Sequence, residues 1–258
     1  MADAFYLPAG EGRFLPTSHT AGPWSPHAQH FGPPSALLVR ALEAQPTDRP
    51  MQLGRVTVEI LGAAPVAEMA VSSRVDRPGR SVELVAAELT AGGRAVARAS
   101  AWRIATSDTA GIATGGAAAL TSVEDCAPAG WPRGWGGGYL DSMEWRAVSG
   151  SPAEPGPAAV WARQKVALVD GEVPSALQRL FAVADSGNGV SNRLDPRQWW
   201  FINSELTVHV QREPAGEWIG LDASTTVGPN GVGTARGILH DTTGQVAFGT
   251  QALLVRPR

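Results

Sequence analysis

Apolar residues fall into two spacings along this chain, and each spacing occurs twice. Ala36, Leu37, Val39, Ala41 and Leu42 follow one another without a breaker until Pro46. Leu177, Leu180, Phe181 and Ala184 recur at helical spacing, with Gly187 supplying a stop. Both runs open on the tetrapeptide Pro-Ser-Ala-Leu, at 34–37 and again at 174–177. Proline is favoured at a first helical position, where its missing N–H would have no partner. Two helices are therefore predicted. Each is followed by a run that alternates apolar and polar residues, Arg55–Leu61 and Glu205–Val210, as a half-buried strand does. Two strand-like runs then lie between Gly79 and Trp102 with a turn at Gly92-Gly93, and two more between Asn230 and Leu253 with a turn at Thr243-Gly244.

Helix, first strand and turn recur at separations of 140, 150 and 151 residues. Chance similarity among Ala- and Val-rich strands is the competing explanation, and three elements at a nearly constant offset weigh against it. Between the copies, Thr106–Gly138 is rich in Gly, Ala, Pro and Ser and reads as a partly irregular linker. The predicted organisation is an N-terminal unit over 1–108, a linker over 109–138 and a C-terminal unit over 139–258. A single helix on a small sheet leaves sheet edges open, so two units side by side are expected to join their sheets into one.

Composition narrows the function. The chain of 258 residues is 43% hydrophobic and 17% charged, with a net charge of −3, enough apolar content for a core. Its Lys and Arg are scattered, which argues against nucleic acid as the partner. No apolar run approaches the roughly 20 residues that span a bilayer, and Met1–Pro16 lacks the basic and apolar segments of a signal peptide. No membrane partner and a cytoplasmic setting are expected. Cys126 is the single cysteine, which leaves no internal disulfide and no multi-cysteine zinc site. His19, His27 and His30 precede the first helix among prolines, without acidic partners at ligand spacing. No metal and no cofactor are predicted. The Trp131–Gly138 glycine run lacks the Gly-Lys-Ser/Thr of a phosphate loop, and no Gly-x-Ser-x-Gly elbow occurs.

Asp185 ends the second helix just before Ser186-Gly187-Asn188. A carboxylate facing the negative end of a helix dipole is disfavoured when charged, which raises its pKa and suits a general base. An exposed Asp opening a turn is the alternative. Gln251 interrupts an apolar strand, Val246–Val255, either to face solvent or to hold a reactant through its amide. The corresponding positions of the first copy are Gln45 and Ser100, so the acid is absent there. His209 alternates on the polar side of its strand. The pair Trp199-Trp200 either packs or lines a pocket.

The ordered set of motifs resembles the TesB-like (type II) acyl-CoA thioesterases. Phe31-Gly32 opens the first helix as a Phe-Gly pair does in that family, and Gly79-Arg80-Ser81 is similar to its Gly-Arg-Ser strand. Ala184-Asp185 with Asn188 resembles the catalytic Asp region. Glu205–Arg212 with Pro214 resembles the strand and turn that follow, and Gly249–Ala252 falls where the family keeps a catalytic Gln. Each motif is short, but together they cover nearly the whole chain. The resemblance implies an α+β double hotdog: two fused repeats, each with a long helix packed on an antiparallel sheet, the sheets joining into one. It implies acyl-CoA as substrate and catalytic roles for Asp185, Gln251 and Asn203. Substrate contacts would come from Phe31, Gly32, Arg80, Ser81 and Asn188, and a homo-oligomer is expected. Two departures stand out. Asn203 occupies the place of a catalytic Thr, and the family's Asp-Leu-Asn reads Asp185-Ser-Gly-Asn188.

The expected reaction is thioester hydrolysis by a water that Asp185 activates, with Gln251 and Asn203 positioning it and a backbone N–H at a helix start receiving the oxyanion. Direct attack by Asp185 to form an anhydride stays open. A non-catalytic acyl-CoA-binding protein is the alternative. A hotdog enoyl-CoA hydratase is a further one, but it wants an Asp and a His close together, and the sequence places no His near Asp185.

Overall fold

The computed structural model describes residues 3–258. In the first half, β1 (Ala4–Pro8) and β2 (Arg13–Pro16) precede a helix, α1 (Gly32–Glu43). Four strands follow: β3 (Met51–Ile60), β4 (Met69–Arg77), β5 (Val82–Ala91) and β6 (Arg94–Ala105). In the second, β7 (Met143–Ser149), β8 (Ala158–Gln164) and β9 (Ala167–Val169) precede α2 (Ala176–Ala184) and the single turn α3 (Gly187–Val190). Then come β10 (Trp199–Asn203), β11 (Glu205–Val210), β12 (Ile219–Val227), β13 (Val232–Asp241) and β14 (Gly244–Pro257).

The strands form one sheet in the order β9-β1-β2-β4-β5-β6-β3-β11-β14-β13-β12-β8-β7, with β10 also paired to β14. Its centre is the antiparallel pair β3–β11, in which Thr57 stands directly opposite Thr207 and their hydroxyls bond at 3.1 Å. These are positions that the sequence sets 150 residues apart, so the two alternating runs meet at their own equivalents. Outward from this pair the strands follow one another in matching order. The turns at Gly92-Gly93 and before Gly244 fall where the sequence expects them, at glycines with positive φ.

Both helices lie on one face of the sheet. α1 begins with Pro33-Pro34 and is buried along almost its whole length, the pattern of a helix inside a core rather than on a surface. α2 starts at Ser175, whose hydroxyl accepts from the Gln178 N–H at 3.1 Å, a side-chain N-cap. Leu37, Leu38, Leu42, Leu180 and Phe181 are 0–1% exposed between the helices and the sheet, each contributing roughly 1.5–3 kcal/mol of burial. The helices run antiparallel with interlocked ends. At one end Ser175 donates to the Glu43 carboxylate at 2.8 Å, and Arg40 makes two 2.7 Å bonds to Glu172. At the other end Gly32 lies so close to Ala182 that a Cβ there would drive into its carbonyl.

The 106–138 stretch is no free spacer. Leu120, Val123 and Cys126 pack on Trp161, whose indole N–H donates to the Thr121 carbonyl at 2.8 Å. Its Trp131 and Trp135 cover Gly189 in α3.

Candidate active site

The end of α2 is where the second half departs from simple helix chemistry. Asp185 caps the helix with φ −67° and ψ −11°, so the chain keeps its turn and enters α3. Gly187 was expected to stop the helix, yet it opens the next turn. The reason is space: a Cβ at Gly187 would sit 2.8 Å from Gln251 Oε1. Gln251 reaches in from β14 and is buried. Its amide N–H donates to the Asp185 backbone carbonyl at 3.0 Å and to Asp185 Oδ1 at 3.3 Å, while its Oε1 accepts from the Asn188 N–H at 3.0 Å. Asn203, at the end of β10, donates from Nδ2 to Asp185 Oδ1 at 2.7 Å. Asn188 donates from Nδ2 to the Phe201 carbonyl at 3.0 Å, which ties α3 to β10.

Asp185 is 3% exposed. Burial pushes its pKa up to about 7, against the opposing pull of the Asn203 and Gln251 amides and the Phe31 N–H. The direction matches the expectation from the helix dipole, but the cause differs. Desolvation raises the pKa, and the start of α1 presents an N–H that works against it.

The expectation that no His lies near Asp185 is overturned. His30 Nδ1 is 3.5 Å from Asp185 Oδ2. Its backbone is pinned by the 2.8 Å bond from its N–H to the Thr20 carbonyl. Nδ1 accepts from the Gly32 N–H at 3.0 Å, and the ring stacks on Tyr139 with centroids 3.8 Å apart and planes 9° from parallel. Tyr139 is itself fixed, donating to the Ala182 carbonyl at 2.7 Å. Burial lowers the His30 pKa to about 3. In sequence His30 stands beside Phe31-Gly32, already a nominated pair. What the sequence does not carry is the antiparallel crossing that sets the start of α1 against the end of α2.

A cavity of about 390 Å³ opens beside this cluster, with Asp185, His30, Phe31, Asn188 and Asn203 on its polar side. Ile60, Leu61, Ile202, Leu254 and Trp24 give it an apolar side. Trp199 and Trp200 do not line it; Trp200 stands behind Trp24, with ring centroids 5.4 Å apart. Arg80 and Ser81 are not brought to the site either. They form the turn between β4 and β5, where the Arg80 carbonyl accepts from Arg49 and the Ser81 carbonyl from the Ala105 N–H. That turn lies at the start of β3, whereas the cavity is at its end, about 30 Å away along a ten-residue strand. It neighbours the end of α1, the first half's counterpart of the Asp185 region. There Gln45 replaces the acid and its carbonyl accepts from the buried Arg103, which also pairs with Glu83. Among the described residues, no group of three or more His, Cys, Asp or Glu side chains is placed to hold a metal ion.

Family comparison matches residues 20–104 to the acyl-CoA thioesterase N-terminal domain and residues 123–255 to the acyl-CoA thioesterase C-terminal domain. No curated protein matches the chain in sequence. Several solved structures share its fold. A conserved protein with the hotdog fold from Alicyclobacillus acidocaldarius is 17% identical with a TM-score of 0.77, covering 98% of this chain and 97% of its own. A candidate thioesterase II from Thermobifida fusca is 19% identical with a TM-score of 0.76, covering 98% and 96%. The tesB protein of Mycobacterium avium subsp. paratuberculosis is 14% identical with a TM-score of 0.70, covering 98% and 96%. At these identities the likeness fixes the fold alone, and that fold is the hotdog.

Proposed function

Because this chain belongs to the acyl-CoA thioesterase family and is a thioester hydrolase, we propose that it cleaves an acyl-CoA to free acid and CoA with a water activated by Asp185. The single observation behind this is a buried carboxylate, its pKa pushed up to about 7, on the polar wall of a cavity whose opposite wall is apolar. A base works best when its pKa lies near the working pH.

Asp185 Oδ1 is held by Asn203 and Gln251, which leaves Oδ2 as the basic oxygen. The Asn203 amide donates to Asp185, and its carbonyl oxygen remains to accept from the attacking water. That is how an Asn serves where the resembling family has a Thr: it holds the water by accepting rather than through a hydroxyl. The water oxygen bonds to the thioester carbon and its proton passes to Asp185. On collapse the C–S bond breaks with its electron pair on sulfur, and Asp185 returns the proton to the CoA thiolate.

In the same reading the chain is a double hotdog with units 1–108 and 139–258 joined by 109–138. It has one active site, because Arg103 fills the counterpart place in the first half. The acyl group lies along the apolar wall that Ile60, Leu61, Ile202 and Leu254 provide. A cytoplasmic setting completes it, and so does a homo-oligomer, for which the exposed Val232 and Phe248 speak; sedimentation at a single-chain mass removes that last part.

The test is thiol release from a panel of acyl-CoAs. Asp185→Asn is expected to slow turnover by about 10²–10⁴-fold; equal rates for the two proteins would remove Asp185 from the mechanism. The approach of His30 to Asp185 favours one second reading, the enoyl-CoA hydratase. With a 2-enoyl-CoA the hydrolase releases thiol, whereas a hydratase removes the conjugated absorbance and releases none.

A further inference from the structure

We infer that His30, as a neutral imidazole carrying its proton on Nε2, is the donor that receives the developing charge on the thioester carbonyl oxygen. This rests on the hydrolase reading above and adds to it a catalytic residue from the first half of the chain.

The contacts of the ring define its tautomer and hold its plane. The Gly32 N–H points at Nδ1 from 3.0 Å, so Nδ1 is an acceptor and carries no proton. An imidazolium would set two N–H groups against each other there. The neutral ring then has its one proton on Nε2. A histidine kept only for packing satisfies both nitrogens when buried. Here no described residue bonds Nε2, and Nε2 is not among the sealed atoms without a partner. The ring forms part of the cavity wall that Asp185 and Asn203 also line. Its plane is fixed by the stack on Tyr139 and its tilt by Gly32, so the donor is oriented before substrate arrives. Preorganised donors of this kind are worth most where water is excluded.

Placement fits the chemistry. Among the described residues, the titratable groups facing the ring are Asp185 and Tyr139, and the one close charge is the Asp185 carboxylate. A neutral donor stabilises an oxyanion without forming an ion pair with the base beside it, so Asp185 stays free to take the proton of water. Burial, which lowers the His30 pKa to about 3, keeps the ring neutral throughout the working range. As the water oxygen bonds to the carbonyl carbon, the C=O π pair moves onto oxygen and meets the Nε2–H. On collapse the pair returns and the C–S bond breaks.

Two substitutions separate this role from a structural one. His30→Asn keeps an acceptor where Nδ1 stands, able to serve Gly32, and deletes the donor at Nε2. His30→Gln places an amide N–H near Nε2 and loses the acceptor for Gly32. The expected result is a fall in kcat of about 10²–10³-fold for His30→Asn, with KM and Tm near the wild type. His30→Gln should retain clearly more turnover than His30→Asn, although its Tm falls. The pH midpoint set by Asp185 should stay in place in both. The reverse order, His30→Asn near wild-type kcat and His30→Gln impaired, would overturn the assignment, and so would a His30→Asn effect confined to a shifted pH midpoint. Failure of the wild-type protein to release thiol from any acyl-CoA would remove the hydrolase reading itself, a result distinct from either.

Discussion

At the scale of single residues, function turns on a carboxylate kept away from water. Asp185 must lose its proton to act, so kcat/KM should rise with pH to a plateau, with a midpoint near its pKa of about 7. Stability should move the other way. A carboxyl whose folded pKa is raised binds its proton more tightly in the native state. Its contribution is therefore full below the ordinary carboxylate range and is lost as pH rises through about 7. Asp185→Asn should be no less stable than wild type near neutral pH, and its advantage in Tm should widen between about pH 5 and pH 8 in a thermal melt. A constant difference across that window would mean that Asp185 is not desolvated in solution. Asp185 and Gln251 stood out in the sequence, one at a helix end and the other as a polar break in an apolar strand, whereas Asn203 and Asn188 were reached through the resemblance. His30 was not. Its partner is 155 positions further along the chain, and no local pattern marks that meeting. Arg80 and Ser81 misled for a related reason: a motif names a strand but not which end of the molecule it reaches.

At the scale of elements, the site exists because the start of α1 and the end of α2 touch. Both helices and the alternating strands followed from periodicity, but the crossing did not, since it depends on two small residues with no hydrophobic signature. Gly32 carries it. A methyl group there meets the Ala182 carbonyl, so Gly32→Ala must push the helices apart or fail to seat α1. Overpacking of this sort costs about 1–3 kcal/mol. The prediction is a lower Tm together with a larger loss of turnover than that stability cost explains, because the Phe31 and Gly32 N–H groups that face Asp185 and His30 shift with the backbone. If Gly32→Ala lowers Tm while kcat is untouched, the contact is structural and nothing more. Gly187 shows the same principle from the other side: what reads as a helix stop is clearance for the Gln251 amide.

At the scale of the whole molecule, the Thr57–Thr207 pair places the end of β3 from one half beside β10 and the end of β14 from the other, and the cavity lies across that seam. Ile60 and Leu61 come from the first half, Ile202 and Leu254 from the second. An acyl chain lying between them removes apolar surface from both at about 0.8 kcal/mol per methylene, or about fourfold in kcat/KM for each carbon added. That gain should continue along a series of straight-chain acyl-CoAs until the cavity is full, then stop. Leu61 is 52% exposed on the rim, so a larger side chain there fits without disturbing the core. Leu61→Trp should move the break in the series to a shorter chain, with the shortest substrates turned over at wild-type rates. A uniform drop across all lengths would instead put residue 61 against the CoA portion. An unchanged profile would mean that the acyl chain does not pass Leu61.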